Sequence, residues 1–97
     1  MIDRINKNEE RLDSVISSIK SLEKSILEFK SNKRNINLLN KYYGSKSWFK
    51  DKDDYESKRI VNIKAGVLSE DAIWNMNDDI NDLLDEMKDI INYFKKV

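Results

Sequence analysis

The sequence predicts an all-α protein: an antiparallel helical hairpin, or small helical bundle, in which two long amphipathic helices are joined by a short helix and a loop. Three observations predict it. Apolar residues recur at alternating spacings of three and four through the last third of the chain. They recur every seven residues through the first third. The 97 residues contain no Pro and only 2 Gly, so long helices can run unbroken.

At the N-terminus Ile5, Leu12, Ile19 and Ile26 form one row with a seven-residue period, and Val15, Leu22, Phe29, Ile36 and Tyr43 form a second. Ile2, Ile16 and Leu27 widen the face, and Lys, Glu, Ser and Asn occupy the outside. A single helix over 2–43 would be about 63 Å long. Lys33 falls where the first row needs an apolar residue, and Ser31 or Asn32 can cap a new helix. The arm is therefore expected to break near residues 31–35, giving helices over 2–30 and 33–43. Gly44 suits the left-handed position that closes it.

The segment 44–68 holds Trp48, Phe49, Tyr55, Ile60, Val61, Ile63 and Val67, too apolar for a disordered linker. A short helix over 46–57 is expected, followed by irregular chain closing at Gly66. The last element is the clearest. Ile73, Met76, Ile80, Leu83, Met87, Ile90, Phe94 and Val97 keep the 3-4 spacing throughout, with Leu84 and Ile91 broadening the stripe. Ser69 is a good N-cap, and Glu70 and Asp71 follow it, where the helix dipole favours negative charge. Leu68 and Ile73 are placed for a hydrophobic staple. Lys95 and Lys96 suit the far end, so the expected helix runs over 69–96, about 42 Å. The whole of 1–97 reads as a single helical domain. The apolar rows are expected to face one another as an intramolecular core, with dimerisation covering a flank left open.

Composition excludes much chemistry. Cys and His are both absent, which removes disulfides, thiolate ligands, a cysteine nucleophile and the commonest general base and metal ligand. No cofactor is expected. The chain opens without the uninterrupted apolar stretch of a secretory signal, and its apolar runs are far shorter than the roughly 20 residues that span a bilayer. A cytoplasmic location with no membrane contact is expected. The net charge of +0 hides a split. Residues 1–50 carry 11 Lys/Arg against 6 Asp/Glu, a net +5, and residues 51–97 carry 7 against 12, a net −5. Two halves whose fields partly cancel are the simplest account.

Asp78, Asp82, Asp85 and Asp89 are spaced to stack in one stripe on the last helix. A solvated helix face is the ordinary reading. The others are mimicry of a nucleic-acid phosphate row and a cation site, and helical carboxylates without loop carbonyls make poor cation sites. The Lys and Arg residues between 20 and 50, with Trp48 and Phe49 among them, could meet phosphates. No nucleic-acid-binding motif is visible and the pI is about 6.3, so nucleic acid is not the expected partner.

The middle of the chain gathers Tyr42, Tyr43, Trp48, Asp54, Tyr55, Glu56 and Trp74. One reading is a polar-aromatic plug locking the helix ends, in which Asp54 or Glu56 accepts the indole N–H groups of Trp48 and Trp74. The other is a shallow pocket for a small ligand or peptide, walled by Tyr43, Trp48, Tyr55 and Trp74. A catalytic version would pair Asp54 with Glu56 as acid and base. Without His, Cys or a phosphate-cradling Gly loop, enzyme activity is not expected.

The run Tyr42-Tyr43-Gly44-Ser45 with Trp48, then Asp54-Tyr55-Glu56, then Gly66-Val67-Leu68-Ser69-Glu70-Asp71-Ala72, resembles a small bacterial family of unknown function, number forty-two ninety-eight of the domains so designated. The opening Met1-Ile2-Asp3-Arg4-Ile5 is similar too. The resemblance spans nearly the whole chain and implies a helical fold. It implies no activity, and it directs attention to the central loop. The expected function is a non-catalytic protein-interaction module, a homodimer that presents its loop and helix ends to a protein partner. The alternatives are a phage or mobile-element inhibitor using the acidic helix as a nucleic-acid mimic, and a small-ligand binder at the central loop.

Overall fold

A computed structural model describes residues 1–95. It is helical, and no strand occurs among the described residues. Helix α1 is Ile2–Ser31, α2 is Lys33–Tyr42, α3 is Lys46–Glu56 and α4 is Ala72–Lys95, with a 3-10 turn at Gly66–Leu68. The expectations for Lys96 and Val97 lie outside the described residues. The chain divides into two compact units, Met1–Asn37 and the part from Leu38 onward. No helix among the described residues is long and apolar enough to cross a membrane.

In the first unit, the break expected near 31–35 is confined to Asn32. The Ser31 hydroxyl donates to the Glu28 carbonyl at 2.7 Å, and the Asn32 amide donates to the same oxygen at 3.1 Å. Short polar side chains that compete with the backbone in this way end helices. The carbonyl of Asn32 then accepts the N–H of Ile36 at 2.9 Å, and its side-chain oxygen accepts from Asn35 at 3.0 Å. Asn32 thus closes α1 and opens α2.

In the second unit, Gly44 takes φ 75°, as the end of the arm requires. Ser45 caps α3 by accepting the Trp48 N–H at 3.2 Å. Ser57 ends α3 by donating its hydroxyl to the Asp53 carbonyl at 2.7 Å. Lys58 and Asn62 adopt left-handed backbone conformations at φ 62° and 63°, which bend the following loop. Ser69 accepts the Ala72 N–H at 3.1 Å, so it caps α4 as expected, although regular helix starts three residues beyond it. Within this unit the chain turns back on itself. Asn40 near the end of α2 and Asn77 in α4 exchange side-chain amide hydrogen bonds of 3.2 and 2.7 Å. A helical hairpin, as expected from the sequence, fits this reversal.

The core is small and differs from the expected one. Trp48, Leu68 and Ile73 are 3%, 7% and 4% exposed, and they are the buried apolar residues among those described. They lie where the 3-10 turn packs against α3 and the start of α4. The rows of α1 were expected to be buried, but Ile5, Leu12, Val15, Ile19 and Leu22 are between 51% and 57% exposed. Along α4 Ile73 is buried and Met76, Ile80 and Met87 are half-buried, while Leu83, Leu84, Ile90, Ile91 and Phe94 are exposed. The reason is geometric. A periodic stripe defines which face of a helix is apolar, but burial needs a facing surface along the whole stripe. Among the described residues, the folded chain encloses only the junction of α3, the turn and α4.

Candidate functional site

The junction is built around Trp48. Its position in the first turn of α3, set by the Ser45 cap, directs the indole inward. The ring N–H donates to the Val67 carbonyl at 3.0 Å. The Tyr43 and Phe49 rings each meet the indole edge-to-face, with centroids 5.0 Å away. The Lys52 ammonium lies 5.1 Å from the centre of the same ring, close enough for a cation–π contact. Tyr43 also donates its hydroxyl to the Glu70 carbonyl at 2.7 Å. Tyr43, just beyond α2, and Trp48, in α3, therefore hold successive parts of the segment leading into α4.

Charges are arranged around this lock. Lys52 pairs with the Glu70 carboxylate at 3.0 Å and lies 3.9 Å from that of Glu56. Its hydrogen bond to Glu70 raises the ammonium above the usual lysine range. Tyr42 donates to Asp51 at 2.6 Å, and this bond, helped by desolvation, pushes the phenol up to about 12. Asp54 accepts from Lys50 at 2.8 Å and Arg59 at 3.1 Å, which holds its carboxyl below the ordinary range. Its backbone carbonyl meanwhile accepts the N–H groups of Arg59 and Ile60 at 2.8 and 3.1 Å. Asp54 therefore fastens the loop that follows α3.

Two shallow hollows flank Tyr55 and Glu56. The larger, about 420 Å³, is lined by these two with Lys52, Leu68, Ser69 and Glu70 among others. The smaller, about 370 Å³, places the same pair against Lys58, Ile60, Val61 and Asn62. Both lie open at the surface. Tyr55 and Glu56 form a ridge between them, at the end of α3 where the chain leaves the helix.

The residues singled out from sequence thus separate into groups. Tyr42, Tyr43, Trp48 and Asp54 act in the lock, and Tyr55 and Glu56 line the hollows. Trp48 lies inside the lock, so it is not one of the hollow's walls. Its N–H meets a backbone carbonyl in place of the expected carboxylate, because the 3-10 turn brings Val67 over the ring before any acid can reach it. Trp74 is 64% exposed and joins neither group, since its place one residue after the buried Ile73 turns it outward. Asp54 is engaged with Lys50 and Arg59, whereas Glu56 lines both hollows. Asp78, Asp82, Asp85 and Asp89 are exposed along α4. Among the described residues no group of three or more His, Cys, Asp or Glu is placed to hold a metal ion.

Asp51, Lys52 and Arg59 take part in the site without being singled out from sequence, and the sequence marks Glu70 for the first turn of the last helix, not as a partner of Lys52. The Asp54–Arg59 and Lys52–Glu70 contacts cross the end of α3 and the following loop, so no helical periodicity marks them. The four-residue spacing of Lys50 and Asp54 was the available signal.

An all-helical chain with its aromatic lock at the helix ends is the class of protein that these features define. Residues 5–90 match the family described as Domain of unknown function (DUF4298), and the chain belongs to that family. No curated protein and no solved structure matches it.

Proposed function

We propose that this protein is a non-catalytic interaction module that acts as a homodimer and offers its loop end to a protein partner. The observation that carries this reading is the state of the α1 rows. Five large aliphatic side chains in two seven-residue rows are half or more exposed, while the enclosed core is three residues at the other end of the sequence pattern. An apolar stripe sustained over eight turns is a surface for another helix. A second copy of the chain is available wherever the first is made. The Tyr55–Glu56 ridge lies apart from this stripe in sequence and is open at the surface, which leaves it for the partner.

Light-scattering mass at tens of micromolar protein tests the reading. A dimer is the expected result, and a mass of 11.5 kDa, that of one chain, contradicts it. For the ridge, Tyr55→Ala combined with Glu56→Ala should abolish capture of a partner from the native host while leaving the dimer mass unchanged. Both side chains are exposed, so the lock around Trp48 survives this change.

A further inference from the structure

We infer that α1 pairs with α1 of a second copy as a parallel, in-register two-stranded coiled coil. The inference rests on the homodimer reading above and adds the element, the direction and the register. One seam row is Ile5, Leu12, Ile19 and Ile26, and the other is Asn8, Val15, Leu22 and Phe29. Ile5, Ile19 and Ile26 put β-branched side chains in three of the four positions of the first row, the kind of row that two-stranded pairs favour. The helix is continuous from Ile2 to Ser31, so these rows run through four successive heptads without a break.

Two features choose the direction. Asn8 is a polar residue in an otherwise apolar seam; within the chain its amide donates to the Arg4 carbonyl at 2.9 Å and its side-chain oxygen accepts from Arg11 at 3.0 Å. In a parallel pair it meets Asn8 of the second copy. In a fully overlapped antiparallel pair it lies against Ile26, so an amide is buried beside an aliphatic side chain. A polar residue at one seam position disfavours the pairings that bury its amide beside an aliphatic side chain. The charges beside the seam agree. In the parallel pair Arg4 faces Glu9 of the second copy, and no like charges meet. In the overlapped antiparallel pair Glu9 faces Glu23 of the second copy, which repels. Arg4 and Glu9 have no ion pair within the chain among the described residues, so both are available.

The chain has no cysteine, so one introduced thiol reports unambiguously. Ile26→Cys in the full chain should oxidise to a covalent dimer, because equivalent seam positions of a parallel pair come within disulfide reach. In the overlapped antiparallel pair the two thiols would be about 27 Å apart along the axis. Leu12→Cys, two positions nearer the N-terminus in the same row, should behave identically and guards against a local folding defect. Glu9→Arg should weaken dimerisation several-fold, and adding Arg4→Glu should restore it. Four results overturn the inference in separable ways. A dimer by mass in which neither thiol variant cross-links, while an Asn8→Cys and Ile26→Cys mixture does, overturns the direction and leaves the homodimer standing. A dimer in which no variant cross-links removes α1 from the interface. A dimer unaffected by Glu9→Arg removes the Arg4–Glu9 pairing. A monomer overturns both readings.

Discussion

The indole N–H of Trp48 donates to the carbonyl of Val67 at 3.0 Å, across 19 residues of sequence. That bond ties α3 to the turn preceding α4, and the indole is also the largest buried side chain. Trp48→Ala should therefore cost about 3–5 kcal/mol, as loss of a buried aromatic does. Trp48→Phe keeps most of the ring and loses the donor, and should cost nearer 1 kcal/mol. Urea unfolding followed by circular dichroism separates the two.

Tyr42 carries a pH dependence of its own. Its folded-state pKa of about 12 lies above the model-compound value of 10.0 because the hydroxyl donates to Asp51. The protonated phenol is the form that makes the bond. The stabilisation is therefore complete below pH 10 and is lost as the pH rises from there through about 12. Ultraviolet titration should show one of the 4 tyrosines ionising late. Tyr42→Phe should remove that component, and Asp51→Asn should move it back toward the ordinary range.

Asp54 behaves in the opposite sense. Hydrogen bonds from Lys50 and then Arg59 lower its pKa in the folded state. Its contribution is present above the unfolded carboxyl value, near 3.9, and is lost as the pH falls below it toward the lower folded value. Asp54→Asn should flatten stability over that acid range. It should also speed amide exchange in the loop over 57–65, which Arg59 then holds to α3 only through its 3.2 Å contact with Asp53. Unchanged exchange there would show that the backbone bonds of Arg59 and Ile60 to the Asp54 carbonyl suffice.

Ser69 satisfies the Ala72 N–H at the start of α4. Ser69→Ala should cost about 1 kcal/mol, a drop of roughly 4–8 °C in Tm for a domain of this size. Ser69→Asp should restore it, since Asp is an equally good cap.

Much of the chain's local structure was readable from particular residues. Ser31 and Asn32 marked the break, Gly44 the left-handed turn and Ser69 the cap, because each acts on backbone within four residues of itself. The helical class followed from the apolar periods. Burial did not follow, since Ile5 to Leu22 show the same period whether or not another surface covers them. The lock was half legible. Tyr43 and Trp48 stood out as aromatics near a helix end. The Val67 carbonyl that meets the indole has no side-chain signature, and the Tyr42–Asp51 bond reaches across Gly44 into the next helix. Trp74 invited a role by its chemistry, but the register of α4 placed its neighbour Ile73 in the core.

In the proposed homodimer the exposed α1 stripe is the interface between two copies. Ile19 is half-exposed on the single chain and far in sequence from Trp48, Leu68 and Ile73, so Ile19→Lys leaves that core intact. Sedimentation equilibrium of the wild-type chain beside Ile19→Lys measures the claim directly. Twice 11.5 kDa is expected for the wild type and 11.5 kDa for the variant. A wild-type monomer, or a variant that remains dimeric, would contradict it.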